Sequence, residues 1–127
     1  MKLILLLCSS MLLVNCSEEN ATGVVPADLD AIGQEPLSAA SDAELRRVCS
    51  WSSQLQGGYG RTVSCPGSKQ KTDPDEGECV AGLQGLAPLC DLQVLAITSC
   101  VAAVGEDLCK FASEGGCAKL RECLAKF

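Results

Sequence analysis

The side chains with chemistry to offer in this chain are its cysteines: there are ten, against no histidine at all. Without an imidazole there is no Ser-His or Cys-His nucleophile pair and no histidine metal ligand. No Cys-x-x-Cys occurs, which removes the dithiol redox motif and the paired ligands of zinc fingers. No Walker loop and no Gly-x-Gly-x-x-Gly turn is present either. What sulfur can still do is crosslink. Cys49, Cys65, Cys79, Cys90, Cys100, Cys109, Cys117 and Cys123 form an even set. Behind an export-type leader, such a set reads as a disulfide framework in an oxidising, extracytoplasmic compartment. The chain is expected to be no enzyme and to carry no metal and no cofactor.

The acids Asp73, Asp75, Glu76 and Glu78 raise the question of calcium. An EF-hand loop beginning at Asp73 would need glycine sixth and glutamate twelfth, but Gly77 stands fifth and Gln84 twelfth. The same acids suit the start of a helix, where they meet the positive end of its dipole. Trp51, the only tryptophan, is expected to cover the edge of a thin core and not to bind a ligand.

Helices must carry most of these cysteines. Ser41 with Glu44 makes a capping box for an amphipathic helix over 42–55, which Gly57-Gly58 ends. Arg61–Cys65 and Lys69–Thr72 flank Pro66-Gly67 and read as a small β-hairpin. Asp73-Pro74 is expected to open a helix over 74–87, and Asp91 to cap another over 92–104 that stops at Gly105. A last helix over 117–126 carries Leu120, Cys123 and Leu124 as one stripe. The expected fold is a small α-rich disulfide-stapled domain, 41–127, with about four short helices and one hairpin. Its aromatic content is one Trp, one Tyr and two Phe, so burial alone leaves it marginal and crosslinks must decide stability.

Eight cysteines allow on the order of a hundred pairings. A short turn between 74–87 and 92–104 implies an antiparallel pair, in which facing residues keep a constant index sum. Leu86 facing Gln93 then sets Cys79 level with Cys100. The last helix, returning past the start of the second, brings Cys123 toward Cys90. Cys109 and Cys117 bracket a connection they can close, which leaves Cys49 with Cys65.

Upstream, Lys2 precedes an apolar run over Leu3–Val14, long enough for a signal peptide (1–15) and too short to span a bilayer. Leu13-Val14-Asn15-Cys16 resembles a bacterial lipobox, with Asn15 where that motif usually has a smaller residue. The resemblance implies a lipid anchor on Cys16. Ser17 follows it, with no Asp retention signal, so an outer-membrane or surface destination is expected; plain secretion is the alternative. Residues 16–40, with Pro26, Pro36 and no periodicity, are expected to form a disordered tether. Roughly 24 flexible residues would have a mean reach of about 27 Å.

The net charge of −6 becomes more negative once Lys2 leaves with the leader. No nucleic-acid partner is expected of such a chain. The segments Gly58–Cys65, Glu78–Ala81 and Cys90–Cys109 resemble those of short cysteine-rich lipoproteins and exported proteins of myxobacteria and related deltaproteobacteria. That resemblance implies location and architecture, and no mechanism. The function expected is therefore an envelope structural or protein-interaction module, its partner unspecified. The alternative is a small-ligand or lipid carrier with an apolar pocket between the helices of 74–104 and 117–126. Ala81, Ala87, Ala96, Ala102 and Ala103 favour the first, because small residues let helices close on one another.

Overall fold

The computed structural model describes residues 24–127. The leader, Cys8, Cys16 and the first part of the expected tether lie outside those residues. The fold is small and α-rich. Its elements run α1 (Ala27–Ala31), α2 (Asp42–Leu55), β1 (Thr62–Cys65), β2 (Ser68–Lys71), α3 (Glu76–Leu86) and α4 (Val94–Val104). Two 3₁₀ turns, Leu108–Ala112 and Gly115–Cys117, then lead into α5 (Ala118–Leu124).

Local signals set most boundaries. Ser41 accepts from the Glu44 backbone N–H while the Glu44 carboxylate accepts from the Ser41 N–H, a complete capping box on α2. Gly57 at φ 86° and Gly58 at φ 110° turn the chain out of that helix, where a side chain would be strained. The hairpin is antiparallel, with Cys65 opposite Ser68 across the two-residue Pro66-Gly67 turn. Two expected caps are displaced. The α3 cap is Asp75, which accepts from Glu78 N–H, because the Asp73 carbonyl is engaged by Gly60 N–H and keeps the chain extended. The α4 cap position is Gln93, because Asp91 is committed elsewhere.

Its commitment is to the segment expected to be a tether. Asp91 accepts from the Ser38 backbone N–H at 3.1 Å and from the Ser38 hydroxyl at 2.7 Å. Leu37 N–H donates to Leu92, Val94 N–H to Glu35, and Leu95 N–H to Gly33, giving an antiparallel bridge at Pro36 and Gln93. Leu29, Ile32 and Leu37 are buried in the main apolar cluster with Leu45, Val48 and Val94. Residues 24–40 therefore belong to the domain, and the tether boundary at 40 is corrected. The apolar residues of this stretch have no clean period because one short helix and one extended clasp share them.

That clasp also overturns the expected helix hairpin. After a turn at 87–89, residues 91–95 run along 33–38, so the link between the helices is spent on the clasp; α3 packs on α2, and α4 packs on α2 and on the C-terminal turns. A second, smaller apolar cluster follows, formed by Cys100, Val104, Leu108 and Cys117 with Val63, Phe111 and Leu120 against it. The second 3₁₀ turn lies tight against α4. A Cβ on Gly116 would stand 2.9 Å from the Ser99 carbonyl oxygen and 3.2 Å from the Ala103 Cβ. We expect Gly116→Ala to lower stability by about 1–3 kcal/mol, as overpacking does, measured by urea unfolding. An unchanged midpoint would show that the contact relaxes freely.

Candidate functional site

The chemistry-bearing residues picked out by the sequence are assembled as four crosslinks. Cys49 bonds Cys79, Cys65 bonds Cys109, Cys90 bonds Cys123 and Cys100 bonds Cys117. Their Cα separations, from 4.3 to 5.9 Å, are those of bridged cysteines. Only Cys90–Cys123 matches the expected set.

The expected Cys79–Cys100 bond does not form because α3 turns its Cys79 face toward α2, where Cys49 waits, buried. Cys49 is thereby unavailable to Cys65, which lies on β1 beside the first 3₁₀ turn and takes Cys109. The connection 105–117, expected to be closed by Cys109–Cys117, is instead wound into the two 3₁₀ turns. Asp107 caps the first by accepting from Cys109 N–H. Cys109 thus faces the hairpin, and Cys117 is buried against α4 and meets Cys100. Four disulfides indicate an oxidising, extracellular environment for this domain. Among the described residues no helix is long and apolar enough to cross a membrane.

The acids around 73–78 form no converging site. Among the described residues no three metal-type side chains come together. Burial pushes the Asp73 carboxyl above its ordinary value, and the Glu78 and Asp75 charges add to that. A raised carboxyl pKa means that the charged form opposes folding. This contribution weakens stability as pH rises through the carboxylate range and is relieved as pH falls. Burial likewise raises the Tyr59 phenol, helped by Glu76, Asp73 and Asp75. Trp51 is half-buried against the main cluster, at the edge of the core.

The carrier alternative placed an apolar pocket between the helices of 74–104 and 117–126, and a concave feature does lie between α4 and α5, with a polar side that the sequence did not point to. A groove of about 250 Å³ opens over the second cluster. Val101 and Val104 of α4 form its floor, Leu108 and Phe111 one wall, and Leu120 and Leu124 of α5 another. Gln56, Gln70 and Lys71 line it as well, from the end of α2 and from β2. Arg61 ties this side together by donating to the Gln56 and Glu106 carbonyls at 2.8 and 2.7 Å. Opposite, Arg121 donates to the Phe111 and Glu114 carbonyls, both at 2.7 Å, and so fixes α5 on the first 3₁₀ turn. Ala103 does permit the close approach of Gly116, whereas Ala81 faces solvent and closes no gap. Lys71 was legible only as a residue of the expected hairpin. Its place at a groove depends on the Cys65–Cys109 link, which no local pattern announces.

No protein-family model, curated protein or solved structure matches this chain.

Proposed function

We propose that the protein is an exported, non-enzymatic module anchored by lipid at Cys16 and acting in envelope structure or protein contact. The observation that carries the reading is the framework of four disulfides, which joins α2 to α3, the hairpin to the first 3₁₀ turn, and α4 and its leading connection to the C-terminal turns. Such a frame keeps a small domain folded outside the cell without metal or cofactor. The lipobox-like Leu13–Cys16 and the Ser17 that follows it support a destination at the outer membrane or surface.

The distance from the anchor matters to this role. With the domain beginning by Val24, the eight residues from Cys16 onward reach at most about 28 Å even when fully extended. The module would therefore work close to the membrane and not at the end of a long leash. Intact-mass measurement of the protein from the membrane fraction tests the anchor. The expected result is a chain starting at Cys16 and carrying a diacyl- or triacylglyceryl increment. An unmodified chain beginning after residue 16 would overturn it.

A further inference from the structure

We propose that the groove between α4, the first 3₁₀ turn and α5 binds a single-chain anionic amphiphile, its alkyl chain along the floor and its head group at Lys71. This goes beyond the anchoring role above and stands without it. Three observations converge. The walls are apolar and come from three separate elements, which Arg61 and Arg121 hold in place through carbonyls on either side. The volume of about 250 Å³ accommodates roughly eight chain carbons if each occupies the ~30 Å³ of a water molecule.

The third observation is charge. The chain carries sixteen acids against ten basic residues, yet no acid lines the groove, and its one charged side chain is Lys71. Among the described residues no carboxylate lies within ion-pair distance of Lys71, an exposed residue whose ammonium carries three donors. The Gln56 and Gln70 amides add neutral donors nearby. An acyl chain alone would need no cation, and a cationic amphiphile would find no anion. A carboxylate or phosphate on one alkyl chain fits both halves of the groove.

The test is calorimetric titration of the exported, oxidised protein with decanoate, decyl phosphate, decanol and decyltrimethylammonium, all below their aggregation limits. Decanoate and decyl phosphate distinguish a fatty-acid from a phosphate head, and saturable binding of either, one per chain, is expected. Decanol should bind about five-fold more weakly, for want of one exposed charge pair. Lys71→Glu should weaken the anionic ligands about ten-fold by turning attraction into repulsion. Leu124→Glu should do at least as much by placing a charge in the apolar wall. Both substitutions fall on exposed side chains, and an unchanged melting temperature verifies that the variants are folded. Should Lys71→Glu unfold, Lys71→Met supplies the same comparison without the repulsion. No saturable binding, equal binding of all four probes, or indifference to both substitutions would overturn the proposal.

Discussion

Replacing Cys49 and Cys79 together by Ala is expected to abolish cooperative folding near room temperature. The bond closes a separation of 30 residues, worth about 3–4 kcal/mol in the chain-entropy account. Both sulfurs also sit inside the main apolar cluster, with Cys49 0% and Cys79 9% exposed. Their removal leaves a gap between α2 and α3 that costs a further ~1–2 kcal/mol. A domain of this size has little more than that sum to lose. Replacing Cys65 and Cys109 makes the informative contrast. That bond spans a longer separation, 44 residues, but both cysteines are only half-buried and hold a peripheral hairpin. The second variant should keep its helix content and melt cooperatively at a lower temperature. Circular dichroism melts of the two variants decide the matter. If the Cys49/Cys79 variant is the more stable of the pair, core position does not set the ranking.

Leu29→Ala should lower the unfolding free energy by about 3 kcal/mol, the range for a leucine truncated in a packed core. Leu29 is 1% exposed and belongs to the main cluster with Leu45 and Val48. Deleting residues 24–40 should be worse still. It removes three buried apolar side chains and strips the clasp from 91–95, leaving three backbone groups there without partners. Val24, 63% exposed, is the control, and Val24→Ala should stay within about 0.5 kcal/mol of the parent. Chemical denaturation measures all three. A disordered tether would leave every one of these variants unchanged, so equal midpoints across the set would restore that view.

The contrast between these two regions shows what a single sequence makes legible. Ser41 with Glu44, Gly57-Gly58, Pro66-Gly67 and Gly105 each act on the backbone within a few residues, and each does in the structure what its type implies. Apart from the Ser38–Asp91 pair, the clasp of 33–38 on 91–95 is built from backbone groups across more than fifty positions, and backbone groups look alike in every residue. The helix over 74–87 was likewise legible, but not which helix would cover its Cys79 side. Once α2 took the place assigned to α4, Cys79 changed partner, and the expected partners of Cys49, Cys65, Cys100, Cys109 and Cys117 changed with it, while Cys90–Cys123 stood. The polar side of the groove was hidden for the same reason: Lys71 and Leu124 share no local pattern, and only the finished topology brings them to one opening.

The connectivity has a consequence for how the protein is made. Among the eight described cysteines no bond joins neighbours: counted from Cys49, the first pairs with the third, the second with the sixth, the fourth with the eighth and the fifth with the seventh. A chain entering an oxidising compartment from its N-terminus and oxidising as it emerges would join Cys49 to Cys65 and Cys79 to Cys90, and both links are wrong. Cys49–Cys79 can form once residue 79 has emerged, but the other three bonds must await Cys109, Cys117 and Cys123, or wrong links must be exchanged through mixed disulfides. The clasp adds to the delay, since 33–38 emerges early and its partner 91–95 late. Yield from a host rich in disulfide isomerase should therefore exceed yield from one that only oxidises.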